Sequence, residues 1–223
     1  MSNVMQSKVM QIPRNQTKYW NQVASRKTFG HPIDWDKLRE FIPKNAKVLD
    51  YGCGHGRICW EFWSKGFQDV IGVDSSIKMI EIAKNTYPSL DFRIVENSLY
   101  PFDNKIFDVV LLFTVLTSVP ADEDQLAIVS ESYRVLKQGG ILYVSDLPLQ
   151  NDNRNRHRYK KFASKYGIFG IFELPDGGVM RHHEMNWIQS LFKQFQDLSL
   201  KEIDITTMNG NKAKGFQYIG LKA

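Results

Sequence analysis

Cysteine is scarce in this chain of 223 residues, with only Cys53 and Cys59 present. They form neither a C-x-x-C pair nor part of a four-ligand cluster, which argues against structural zinc and against a disulfide scaffold. No metal site is expected, and the reducing cytoplasm is the expected location. Long apolar runs are lacking too. The most apolar stretch, FDVVLLFTVL from Phe107 to Leu116, is far shorter than the roughly 20 residues that cross a bilayer. It reads as a buried strand, and no membrane partner is expected. The opening MSNVMQSKVMQIPRNQTKYW has no apolar region of the kind a secretory signal needs. Internal repeats and low-complexity tracts are absent as well.

What is present suits a globular fold. Apolar residues make up 43% and aromatics 13%, against 24% charged, enough for one sizeable core in a chain of this length. A net charge of +5 leaves nucleic acid or an acidic small molecule open as partners without requiring either.

Before Lys44 the sequence is polar with scattered aromatics, and residues 1–43 are expected to form a short helical extension packed on the main domain. From Ala46 onward apolar runs alternate with amphipathic stretches: VLDYG, HGRICWEFWSKG, DVIGVD, SIKMIEIAKNTY and DFRIVE. That order predicts βαβαβ and a parallel sheet. FDVVLLFTVL continues as a strand, DEDQLAIVSESYRVLKQ as a helix stopping at Gly139 and Gly140, and ILYVSDL as a strand. The region 148–184 breaks the pattern and reads as an insertion with one short helix. A helix near Met185 to Phe195 and the strands LSLKEIDITTM and GFQYIGLK complete the domain, 44–223.

The segment KVLDYGCGHGR places an apolar strand before a glycine-rich turn and a helix, an arrangement that lets a ligand approach the backbone. Two details discriminate among ligands. The dinucleotide pattern G-x-G-x-x-G would need glycine at 57, where Arg57 stands. Asp50, just before the loop, would repel a pyrophosphate but favour a ligand with an ammonium and a sulfonium. Asp74, ending VIGVD, sits where a Rossmann acid accepts ribose hydroxyls. Its competing role is helix capping, which Ser75 or Ser76 could equally supply.

KVLDYGCGHGR, VIGVDSSIKMIEIAK, FDVVLLFTVL and YRVLKQGGILYVSDL, in this order and spacing, resemble the motifs of class I S-adenosylmethionine-dependent methyltransferases. The resemblance implies an α/β Rossmann-like fold: a seven-stranded, mostly parallel sheet of order 3-2-1-4-5-7-6, helices on both faces, and the last strand antiparallel. It implies S-adenosylmethionine as cofactor. It places Asp50, Gly52, Cys53 and Gly54 around the methionine end, Asp74 and Ser75 at the ribose, Asn97 and Ser98 near adenine, and Phe113 and Thr114 beneath the methyl donor. Asn97 stands where the family commonly has an acid, although an amide can still pair with the adenine amino group. In relatives the N-terminal extension commonly folds over the cleft, which would bring Tyr19, Trp20 and Lys27 to the methionine end.

Methyl transfer is an in-line displacement, so alignment and a dry pocket supply much of the catalysis. A base is useful when the acceptor is a hydroxyl or a protonated amine. Of five histidines, His55 belongs to the glycine loop, His157 to the basic run NRNRHRYKK and His31 to the extension. His182 and His183, following the insertion, are the candidates for acceptor-side chemistry, with Glu173 as rival. The basic run reads either as a solvated face or as a recognition element for an acidic acceptor. A small-molecule acceptor is the leading reading, since additions before the sheet and after its fifth strand can build a lid and a pocket. RNA or protein methylation, a noncatalytic cofactor-binding protein and a nicotinamide enzyme are the alternatives. The last is disfavoured by Asp50 and Arg57, and base-directed amino methylation by FTVLTSVP standing where an N-P-P-Y-like tetrapeptide would be. Acceptor identity and oligomeric state stay open at this point.

Overall fold

The computed structural model describes residues 10–96 and 100–223. Two short helices, α1 (Thr17–Val23) and α2 (Trp35–Leu38), precede the sheet. Then β1 (Val48–Tyr51), α3 (Arg57–Ser64), β2 (Val70–Asp74), α4 (Ile77–Thr86) and β3 (Asp91–Ile94) form the expected βαβαβ unit. The chain continues through β4 (Phe107–Phe113), α5 (Val115–Ser118), α6 (Asp122–Val135) and β5 (Leu136–Asp146). It ends in α7 (Asn153–Tyr166), the hairpin β6 (Ile171–Glu173) and β7 (Val179–Arg181), α8 (Met185–Phe192), β8 (Gln196–Thr206) and β9 (Lys212–Leu221).

Seven strands form one sheet in the order β3-β2-β1-β4-β5-β9-β8. With the separate β6–β7 hairpin set aside, this is the order 3-2-1-4-5-7-6. The first five strands are parallel, and β9 runs antiparallel to both β5 and β8. The inner strands are apolar on both faces because helices cover both. Alternate residues therefore enter different cores. Val48, Val70, Val109 and Leu111 pack in one, and Leu49, Ile71, Val110 and Leu112 in the other. A register shift between Phe107 and Val109 breaks this parity and sends Phe107 to the same side as Val110.

Four local expectations need correction. Helix α6 stops at Val135, because Leu136 is already extended (ψ 139°) and is buried as the first residue of β5. Gly139 and Gly140 thus serve the sheet: Gly139 N donates to Lys222 O, and Lys222 N to Gly140 O. Strand β4 ends at Phe113, and Thr114, with φ +57°, turns the chain into α5. The insertion holds a 14-residue helix and a hairpin, where one short helix was expected. Helix α8 ends at Phe192, short of Phe195. The turn at Thr114, together with the glycine loop across from it, opens a cleft at the C-terminal edge of the parallel strands, where open α/β sheets bind ligands. No helix among the described residues is long and apolar enough to cross a membrane.

Candidate functional site

The cleft has a volume of about 760 Å³, within the usual range for a small-molecule site. Its floor is the turn from β1 to α3. Gly52 N and Cys53 N donate to Val73 O at 2.8 and 3.0 Å, which ties the loop to the end of β2. Gly56 is the residue that cannot be replaced easily: φ is +81°, and a Cβ there would lie 2.4 Å from Phe92 Cζ. Sequence thus dictates a sharp turn whose backbone lies open to the cleft.

Asp74 closes the other side of this turn. One carboxylate oxygen accepts Gly54 N at 3.0 Å and the other accepts Ser76 N at 2.8 Å. Capping of α4 falls to Ser76, whose Oγ accepts Met79 N. Burial raises the Asp74 pKa above the ordinary carboxylate value, against the opposing effect of the two amide bonds. Each oxygen retains lone-pair capacity for hydroxyl donors in the cleft. Ser75 also lines the cleft.

Asp50 is almost fully buried, and Cys59 Sγ donates to it at 3.3 Å. Burial pushes its pKa up to about 7, the charges of Asp74 and Glu61 add to the rise, and Arg57 opposes it. A cation in the cleft would favour its ionised form. The Cys53 thiol is pushed up to about 11 by burial, so it lines the loop as a thiol and not as a nucleophile.

Phe113 and Thr114 also line the cleft, together with Gly52, Gly54 and Trp20. Tyr19 and Lys27, expected on the methionine end, turn elsewhere. Tyr19 Oη donates to Asp176 at 3.2 Å, and Lys27 Nζ pairs with Asp176 at 2.6 Å and donates to Asn209 at 2.7 Å. The physical reason is helical spacing: neighbouring residues on α1 face different ways, so Trp20 meets the cleft and Tyr19 meets the β6–β7 turn. Asn97 and Ser98 lie outside the described residues.

A smaller annex of about 70 Å³ adjoins the cleft, and Trp20, Phe29, His31, Thr114 and Ser118 line both. His182 lines the annex, with Nδ1 2.5 Å from Tyr159 Oη. Burial, with Arg158 and His183 nearby, holds its pKa well below the ordinary value. His183 lines neither space. Its ring nitrogens lie 3.0 Å from Gln125 Nε2 and 3.2 Å from Leu147 O, and burial with the Arg181 charge lowers its pKa to about 3. The reason the pair separates is again local. Adjacent residues in extended backbone point to opposite sides, so only one of them faces the annex. Glu173, the rival carboxylate, is engaged by Lys165 and by Tyr166 Oη.

A side chain read from the sequence only as part of the extension, His31, lines both spaces. It is 3% exposed and sets Nδ1 2.9 Å from Ser145 Oγ. Burial and the Arg57 charge lower its pKa to about 4, leaving a neutral imidazole. The sequence signal was the isolated TFGHP within the extension, which does not reveal that Arg57 would fix the His31 carbonyl at 2.6 Å.

The sequence profile of a family described as a methyltransferase domain matches residues 49–144. A crystal structure of an S-adenosylmethionine-dependent methyltransferase from Methanosarcina mazei is 27% identical, with a TM-score of 0.77, covering 83% of this chain and 96% of that one. A demethylmenaquinone methyltransferase of Staphylococcus epidermidis is 30% identical over 70% of this chain and 64% of its own length. A tRNA U34 carboxymethyltransferase of Shewanella frigidimarina is 28% identical over 78% of this chain and 52% of its own. The chain spans about half the length, or less, of several curated relatives it matches. Fold, cleft and comparisons all support a class I S-adenosylmethionine-dependent methyltransferase. S-adenosylmethionine is the cofactor of that family, and the residues present fit it. Position 57 holds no glycine for a pyrophosphate, and the buried Asp50 and half-buried Asp74 that line the cleft suit a ligand with two cations and ribose hydroxyls.

Proposed function

We propose that the chain transfers the methyl group of S-adenosylmethionine to a small-molecule acceptor seated between the cleft and the annex. The observation that carries this reading is the continuity of the two spaces through Trp20, Phe29, His31 and Thr114. The cofactor, when bound, supplies an electrophilic methyl group on sulfur. Asp74 holds the ribose hydroxyls, and Asp50 offers negative charge to the methionine end. Trp20 and Phe29 cover the reacting zone and exclude water, which strengthens every polar interaction inside. His31, neutral and anchored through Nδ1, accepts a proton at Nε2 from a hydroxyl acceptor, whose oxygen becomes acidic as its bond to the methyl forms. His182 positions the acceptor from the annex side. In this reading the extension before residue 44 is the cover and the region 148–184 is the acceptor wall. The buried thiols Cys53 and Cys59 accord with a cytoplasmic site of action.

A second acceptor class has some support, because the relatives' names include a tRNA enzyme beside the quinone enzyme. The small volume of the annex, about 70 Å³, favours the small molecule. The test is to incubate the full chain and methyl-labelled cofactor with metabolite, RNA and protein fractions of one extract. Label in the metabolite fraction is expected. Label confined to RNA or protein would overturn the acceptor class, and cofactor binding without label in any fraction would leave a noncatalytic binding protein.

A further inference from the structure

Helix α7 carries Arg154, Arg156, Arg158, Lys160, Lys161 and Lys165 and no acidic residue. Most of these charges are solvated, but Arg154 and Arg158, one helical turn apart, both line the annex. Arg158 is the unusual one. Its guanidinium carbon sits over the Phe172 ring, 3.3 Å from the centroid. Its Nε is buried without a hydrogen-bond partner, and no carboxylate pairs with it among the described residues. Among the described residues, the acid paired with either arginine is Asp152, 3.9 Å from Arg154 Nε and already accepting Asn155 N as the cap of α7.

Two like charges held side by side are repulsive, and a partly buried cation without a counterion is costly unless a ligand completes it. Burial, with the neighbouring Arg154 charge, lowers Arg158 to about 10, so it is still a cation at neutral pH. The close contact with Phe172 restrains the guanidinium, whose N–H fork suits a planar or tetrahedral oxyanion. Asn209 and Asn211 also line the annex as uncharged polar groups, and no Asp or Glu is among its described lining residues.

We infer that the annex is an oxyanion subsite in which Arg158 and Arg154 hold a carboxylate or phosphate of the methyl acceptor, so that the acceptor is an anionic small molecule. This rests on the methyl-transfer reading for the word acceptor, but the anion site stands or falls on its own. The walls Trp20, Phe29 and Phe172 suit a ring or short apolar body behind the anion.

The test is calorimetric titration of the full chain, with and without saturating S-adenosylhomocysteine, using benzoate, phenyl phosphate and the neutral benzamide. At least one anion should bind ten or more times more tightly than benzamide, and the better anion identifies carboxylate or phosphate. Arg158→Gln should erase that preference, Arg158→Lys should retain part of it, and Arg156→Gln, on the exposed side of α7, should leave it intact. Equal binding of benzamide, or an unchanged preference in a folded Arg158→Gln variant, overturns the subsite. Should Arg158→Gln fail to fold, the wild-type preference and Arg154→Gln decide in its place. Anion binding without any S-adenosylhomocysteine binding would sink the methyltransferase reading while keeping the subsite. The reverse result would sink the subsite alone.

Discussion

At the glycine-loop end, the cleft is lined by the single stretch Asp50 to Asp74, whose turn is held by backbone amides. The annex is lined by residues from well-separated parts of the chain, His31, Thr114, Arg158, His182 and Asn209 among them, and in the proposed function these act through side chains. The first end is set by local geometry: a turn that only glycine tolerates, beside a strand pair that fixes its position. The second exists only after the extension, the insertion and the last hairpin have all packed on the sheet. The two ends should therefore respond differently to substitution, one through fold and cofactor affinity, the other through turnover.

The largest separation should come from His31→Ala. Turnover should fall by roughly 10²- to 10⁴-fold, the usual contribution of a positioned base, while S-adenosylhomocysteine affinity changes little. Steady-state kinetics beside calorimetry would show it. A parallel loss of cofactor affinity would move His31 to the cofactor end and erase the contrast.

Next comes Gly56→Ala, which forces a left-handed residue and a 2.4 Å approach to Phe92. A loss of about 3 kcal/mol of stability is expected from strain and overpacking together. Urea unfolding measures it, and a variant as stable as wild type would show that the turn can relax.

Asp74→Ala should weaken both S-adenosylmethionine and its demethylated product by roughly 1.5 to 3 kcal/mol, the worth of a charged hydrogen-bond acceptor. Unchanged affinity in a folded variant would remove the ribose role.

How much of this was readable beforehand follows the same division. The βαβαβ alternation and the glycine turn were legible because strand periodicity and glycine spacing are local signals, whereas the sheet order came only from the family resemblance; Asp74 drew notice by standing at a strand end. The annex was not. Helix α7 buries only Asn155, Tyr159 and Tyr166 beneath its cations, so its apolar stripe is faint. The β6 and β7 strands are three residues each, too short for alternation to register. Thr114 adopts a left-handed conformation that no residue-type rule assigns to threonine. Gly139 and Gly140 carried a helix-stop signal that the burial of Leu136 overrode.

The smallest effect expected concerns His183, buried away from both spaces. Its folded pKa of about 3 lies below the ordinary 6.5, so the unfolded chain binds its proton first as pH falls. Its stabilising contribution is complete above about 6.5 and is lost towards about 3, at about 1.4 kcal/mol per pH unit. Relative to His183→Gln, the wild type should therefore lose about 1.4 kcal/mol on going from pH 7.5 to 5.5 in urea melts. Asp50 and Asp146, both raised to about 7 by burial, act in the opposite direction but equally in both proteins. A gap independent of pH would mean that His183 stays solvated.

Gln16 gives the roof of the cleft a measurable open population. Its side-chain amide donates to Ser118 O and Val179 O and accepts from Val179 N, each at 2.8 Å. A single side chain thus occupies the free edge of β7 the way a neighbouring strand would. Three such bonds at about 1 kcal/mol each amount to about 3 kcal/mol, so roughly one molecule in a hundred or fewer has this latch undone at any instant. The Val179 amide can exchange its hydrogen with solvent only in that minority. Its protection factor therefore counts the open population directly, whatever small molecule passes beneath.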